Sequence, residues 1–84
     1  MPLVDAIWDL PDDPDGNVQH IAEHGLTPID VEHVLNNPER HDLSRSSGRP
    51  IVYGFTPSGE YIVVIYDDID ESTIYPITAY PVEE

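Results

Sequence analysis

The chain has 84 residues, 39% of them hydrophobic, with 17 acids against 3 arginines, no lysine, no cysteine and a formal net charge of −14. That length makes one small domain, taken as 1–84, and the lack of cysteine excludes disulfides and thiolate metal sites. The charge repels nucleic acid at long range and gives no overall counterion-release affinity, so any nucleic-acid role has to be local.

Residues 4–10 read as a short first strand, with Val4, Ala6 and Trp8 alternating with Asp5, Ile7 and Asp9. The run Pro11-Asp12-Asp13-Pro14-Asp15-Gly16 is a turn-rich connector. Asn17 is placed to cap a first helix, in which Val18, Ile21 and Ala22 fall at helical spacing and which Gly25 closes. A second helix starts at Thr27-Pro28-Ile29-Asp30: Thr caps, Pro takes the first helical position and Asp30 stands where a capping-box acid reaches back. Val31, Val34 and Leu35 form its apolar face, and Asn36-Asn37-Pro38 ends it. Gly25-Leu26-Thr27 makes the two helices a tight hairpin.

The second half reads as β. Residues 40–46 give a faint strand signal and residues 51–56 a clear one. Thr56-Pro57-Ser58-Gly59 is a hairpin turn, and residues 60–66 form the next strand, apolar on both faces and therefore central. Residues 67–72 form an acidic loop. Residues 73–80 are the last strand, which is an edge or is bulged at Pro76, because proline cannot donate a ladder bond. The expected fold is α+β, with two N-terminal helices packed on one face of an antiparallel sheet of three to five strands. Met1-Pro2-Leu3-Val4-Asp5 carries no basic leader and no apolar run is long enough to span a bilayer, so the expectation is a cytoplasmic protein with no membrane association.

Residues 43–59 contain no acid, and the three cations, Arg40, Arg45 and Arg49, lie in this window or just before it. Arginine forks, serine hydroxyls and glycine-exposed N–H groups are what an anion site needs, which makes Arg45 and Arg49 its candidates. The competing reading pairs these arginines with nearby carboxylates such as Glu39, Asp42 or Glu60. His41, between Arg40 and Asp42, is a candidate for general acid–base chemistry or simply a surface histidine. His20-Ile21-Ala22-Glu23-His24 matches an inverted zinc motif, with both imidazoles on one helix face. No third ligand is evident, and so small a chain hardly holds a substrate cleft. The pair is read as a solvated face, with no metal and no cofactor expected.

Trp8-Asp9, Asn17, His24-Gly25-Leu26-Thr27, Asn37-Pro38, Ser44-Arg45-Ser46-Ser47-Gly48-Arg49-Pro50 and the strand Tyr61-Ile62-Val63-Val64-Ile65-Tyr66 together resemble the BrnT-like toxins of the RelE/ParE superfamily, and within them an acidic, uncharacterised subgroup. The resemblance runs from Ile7 to Tyr80. It implies the toxin half of a type II toxin–antitoxin system: a metal-independent ribonuclease held inactive by a cognate antitoxin, with RNA as its ligand, bound weakly here given the net charge of −14. Cleavage of this kind uses the RNA 2′-hydroxyl as nucleophile and needs a base, an acid and cations for the phosphorane. Carried onto this chain, Arg45 and Arg49 would hold phosphate, and His41 or Tyr66 would shuttle the proton. Such toxins are commonly basic and carry arginines in the last strand around a motif like Arg-Ile-Ile-Ser-Ala-Arg. Here the matching stretch is Tyr75-Pro76-Ile77-Thr78-Ala79-Tyr80, with tyrosine at both arginine positions. Each missing cation weakens charge stabilisation by roughly 3 kcal/mol on the oxyanion-hole scale. The resemblance therefore speaks more for the fold than for the activity.

The second reading is a non-enzymatic acidic module that docks a basic partner or mimics a nucleic acid. It needs Asp12, Asp13, Asp67, Asp68 and Asp70 on one face, with the arginines tied up in internal pairs. The oligomeric state stays open on sequence alone.

Overall fold

A computed structural model describes residues 4–83. Met1 to Leu3, part of the segment read as carrying no leader, and Glu84 lie outside the described residues. In chain order the elements are β1 (Asp5–Ala6), α1 (Asn17–Ala22), α2 (Pro28–Asn36), β2 (Arg40–Leu43), β3 (Pro50–Phe55), β4 (Tyr61–Asp68) and β5 (Thr73–Pro81).

The helical hairpin forms for local reasons. At the start of α2 the Asp30 N–H donates to Thr27 Oγ1 at 3.3 Å, and the Thr27 N–H donates to Asp30 Oδ2 at 3.0 Å, which completes the expected capping box. Helix α1 ends in a Schellman turn: the Leu26 N–H reaches Ile21 O and the Gly25 N–H reaches Ala22 O, both at 3.0 Å. Gly25 takes φ +77° there, a conformation that would strain any residue with a Cβ. The helix stops at Ala22, so His24 lies in this turn and does not share a helix face with His20 as the spacing suggested.

Among the described residues the sheet has five strands in the order β1-β5-β4-β3-β2, which puts β4 in the middle as its two apolar faces predicted. It is mixed, which corrects the all-antiparallel expectation. The first strand is only two residues long and runs parallel to β5, with Asp5 opposite Thr73 and Ala6 opposite Ile74. The other neighbours are antiparallel. Along β4 and β5 the register slips between Ile65, opposite Thr78, and Tyr66, opposite Pro76. The proline is thus accommodated by a bulge, and Ile77 is the extra residue.

The core lies between the helices and one face of the sheet. Ile21, Leu26, Val31, Val34 and Leu35 meet Val52, Ile62, Val64, Ile74 and Ala79. Burying such a side chain fully contributes roughly 1.5–3 kcal/mol. Gly54 lets α2 come close: a Cβ there would stand 3.0 Å from Val34 Cγ1 and 3.3 Å from Asn37 O.

Asn17 does not cap its helix. Gly16 occupies the cap position, and the Asn17 side chain is buried in the interior. Its Nδ2 donates to Ile7 O at 2.9 Å and Pro76 O at 2.8 Å, and its Oδ1 accepts from the Asp9 N–H at 2.9 Å. The Asn17 N–H donates to Asp9 Oδ2, which also accepts from the Tyr75 hydroxyl. A buried amide is stable only when its donors and acceptors are met. Asn17 meets this condition by joining the segment after β1, the start of α1 and the middle of β5.

Replacing Asn17 with Ala leaves two carbonyls and one N–H without partners, and the expected loss is about 2–4 kcal/mol in urea unfolding, against less than about 0.5 kcal/mol for the surface change Ile29→Ala. The Asp9 carboxyl is held below its ordinary range, first by the Tyr75 hydroxyl and then by the Asn17 N–H. The same bond to Asp9, with burial and the Asp9 charge, pushes Tyr75 up to about 12. The advantage of wild type over Tyr75→Phe is therefore fully present at neutral pH. It should shrink as pH falls below about 4, where Asp9 takes up its proton, and again between about 10 and about 12, as Tyr75 gives up its own. Urea midpoints across pH check both ends.

Candidate functional site

Among the described residues, no helix packs on the second face of the sheet. Strand alternation places Ile51, Tyr53 and Phe55 of β3, Tyr61, Val63 and Ile65 of β4, and Thr78 and Tyr80 of β5 on it. Tyr53 stacks on Tyr61 with ring centroids 6.1 Å apart, and Phe55 tilts against Tyr61 at 4.8 Å. Val63 on this face is buried. Between Tyr53, Tyr80 and the β2–β3 turn lies a hollow of about 250 Å³, floored by Ile51, Val63 and Ile65, with Ser44, Arg45 and Asp42 at its rim.

All three arginines sit on or beside this face, in three different states. The Arg40 guanidinium lies over the Tyr53 ring, 4.1 Å from its centroid. Arg49 Nε donates to Asp67 Oδ1 at 3.0 Å in a pair exposed to 46% on both sides. Such a pair contributes at most about 1 kcal/mol, and Arg49 is matched across the sheet to a carboxylate rather than offered to a ligand. Among the described residues Arg45 alone has neither a carboxylate nor a ring against it. The turn around it uses its own donors: the Gly48 N–H reaches Ser44 O at 2.7 Å, and the Arg49 N–H reaches Ser47 Oγ at 3.3 Å. The small residues of the acid-free window thus close a turn, with Gly48 at φ +71°.

His41 and Tyr66 lie on the helix side of the sheet. They line a hollow of about 140 Å³ with Leu35, Val52 and Ile74 at its base and Asp68, Asp70 and Glu71 around it. Burial raises the Tyr66 phenol above its ordinary value, and the Asp68 charge adds to this. Three carboxylates beside the two proton-shuttle candidates repel a phosphodiester and favour a cation. Of the four sequence candidates, the structure thus brings His41 and Tyr66 together, places Arg45 at a separate hollow on the opposite face, and leaves Arg49 at neither. The carboxylates are divided too. Asp67 and Asp68 are neighbours on β4 and so project to opposite faces, and Asp67 is held by Arg49.

The sequence reading missed the acidic surround of His41 and the tyrosine-walled hollow. Both depend on cross-strand register: Asp68 reaches the His41 side only because β4 continues two residues beyond Tyr66. Of the other histidines, His33 Nδ1 contacts Phe55 O at 2.9 Å and the His24 ring lies 5.8 Å from that of Tyr80. Several residues that carry the family resemblance hold the fold instead. Trp8 Nε1 donates to Glu32 Oε2 at 2.8 Å, and Asp9 and Asn17 hold each other.

Replacing Asp68 with Asn should bring the Tyr66 ionisation back towards its ordinary value. Ultraviolet pH titration against a Tyr66→Phe reference checks this, and an unchanged titration would remove Asp68 from the hollow's electrostatics. No family model, curated protein or solved structure matches this chain, so its candidate site is known by its own geometry alone.

Proposed function

We propose that this chain is a BrnT-like domain of a toxin–antitoxin pair that holds a protein partner and no longer cleaves RNA. One observation carries this reading. The groups that a metal-independent ribonuclease must aim at one phosphate are divided between two faces of the sheet, and the proton-shuttle pair His41 and Tyr66 is surrounded by Asp68, Asp70 and Glu71. Phosphoryl transfer through a 2′-hydroxyl needs base, acid and cation within reach of the same few atoms. The tyrosines at 75 and 80 and the net charge of −14 support the same reading.

The alternative, a nucleic-acid mimic, needs one face of ordered carboxylates. The opposed directions of Asp67 and Asp68 disfavour it, although the Arg49–Asp67 pair is the kind of internal pair it needs. What the molecule offers a partner is the open sheet face, with an apolar floor, aromatic walls and Arg45 free at the rim.

The test has two arms. Purified protein is incubated with single-stranded and structured RNA without added metal, and no cleavage above buffer is expected. Cleavage that disappears in His41→Ala or Tyr66→Phe would restore the ribonuclease reading. In the second arm the protein is mixed with a candidate antitoxin, a small protein encoded beside its gene where there is one, and a complex is expected whose dissociation constant rises about 5-fold or more in Arg45→Ala, on the scale of one charge-assisted contact. Absence of a complex would remove the toxin–antitoxin assignment.

A further inference from the structure

Strand β2 closes one side of the sheet. Among the described residues it pairs with β3 alone, and its four residues, Arg40, His41, Asp42 and Leu43, are all exposed. The backbone directions along this edge follow from its register. Arg40 lies opposite Tyr53 and Asp42 opposite Ile51, and the same register continues to Ser44, whose N–H donates to Arg49 O at 2.8 Å. In an antiparallel ladder, residues that exchange hydrogen bonds alternate with residues that do not. Even-numbered residues of β2 therefore bond to β3, while His41 and Leu43 direct N–H and C=O groups away from the sheet. The alternation ends just before the strand, where the Glu39 N–H also donates to Tyr53 O at 2.8 Å, so the free template is confined to His41 and Leu43. The Leu43 N–H fits this pattern: it donates to Asp42 Oδ1 at 2.8 Å, not to β3.

A row of outward backbone groups is a template for another strand, and edge charges normally prevent such pairing. Here the charges are self-complementary in one register. Two copies meeting antiparallel about a two-fold axis perpendicular to the sheet keep the same face outward, so opposed residues must share parity. An axis through Asp42 sets Asp42 against Asp42, and an axis through Arg40 sets Arg40 against Arg40. An axis through His41 sets Arg40 against Asp42 twice and puts no like formal charges opposite each other.

We propose that two copies of this chain pair through the free edge of β2, antiparallel about an axis at His41, with each Arg40 facing the second copy's Asp42. Each His41 N–H donates to the second copy's His41 C=O. Arg40 and Asp42 then fall in the closer, non-hydrogen-bonded positions, where side chains interact most. Both groups are positioned for this. The Arg40 guanidinium lies over the Tyr53 ring with no carboxylate paired to it among the described residues, and Asp42 has a second carboxylate oxygen beyond the one held by the Leu43 N–H. The result is one continuous ten-stranded sheet with both open faces on the same side, a closed isologous dimer. Repulsion between two chains of −14 opposes it at low ionic strength and is screened beyond about 8 Å at about 0.15 M salt.

Sedimentation equilibrium at about 0.15 M salt reads the dimer directly. Wild type is expected to dimerise, and Arg40→Asp and Asp42→Arg each to raise the dissociation constant about tenfold or more, because each change affects both symmetric pairs. The exchanged double variant, Arg40→Asp with Asp42→Arg, should return to within a few-fold of wild type. His41→Pro removes an outward N–H that β3 does not use, so it should abolish the dimer while the thermal melt keeps its cooperativity. A wild type that stays monomeric up to about 1 mM, a double variant as weak as the single ones, or a His41→Pro protein that dimerises normally would each overturn the proposal.

Discussion

The fold depends on the buried side chain of Asn17. A six-residue α1 and a two-residue β1 are too short to hold their places by their own hydrogen bonds. Asn17 fixes both by tying Ile7 O, the Asp9 N–H and Pro76 O to the start of the helix. The Asp9 carboxylate completes the knot by accepting from the Asn17 N–H and the Tyr75 hydroxyl. Pro76 belongs to the same arrangement. Its ring cannot donate to β4, the ladder bulges beside it, and its carbonyl is left for Asn17. Polar groups buried in this way are costly when unmatched, so the knot also selects one arrangement of the N-terminal segment over others.

That constraint decides which side of the sheet is closed. The N-terminal segment is held to α2 by Trp8 with Glu32 and by the Val4 N–H with Asn36 Oδ1, so the helices and this strap share one face. The other face is left to its own side chains. Tyr53, Tyr61 and Phe55 cover part of it, and the hollow between Tyr53 and Tyr80 remains open. The few cations gather on this side, while Asp68, Asp70 and Glu71 gather around His41 and Tyr66 on the other. In this arrangement Arg45 and the proton-transfer candidates line separate hollows on opposite sides of the sheet.

Much of this was legible wherever the signal is local. The Thr27–Asp30 capping box, the Gly25 turn and the Thr56–Gly59 hairpin turn, where Gly59 takes φ +92°, are set by residues three or four apart. The apolar run from Tyr61 to Tyr66 announced a central strand because neither of its faces tolerates water. What the sequence did not reveal lies in long-range pairing. The parallel contact of β1 with β5 joins residues far apart in the chain, and no pattern in residues 4–10 shows it. Asn17 looked like a helix cap because its type and position suit one, while its real partners include Pro76. The arginine window was visible as composition, but the acid that takes Arg49 is Asp67, a cross-strand neighbour rather than one of the acids near it in sequence. The separation of His41 from Arg45 is likewise a property of the sheet and its turn.

The most direct test of this account is a residue-resolved nuclear magnetic resonance titration of the labelled protein with a short single-stranded RNA. Separated groups predict that His41 and Tyr66 keep their shifts while at most Arg45 and its turn respond, weakly and without saturation. Saturable shifts at Arg45, Arg49, His41 and Tyr66 together, following one binding curve, would contradict it.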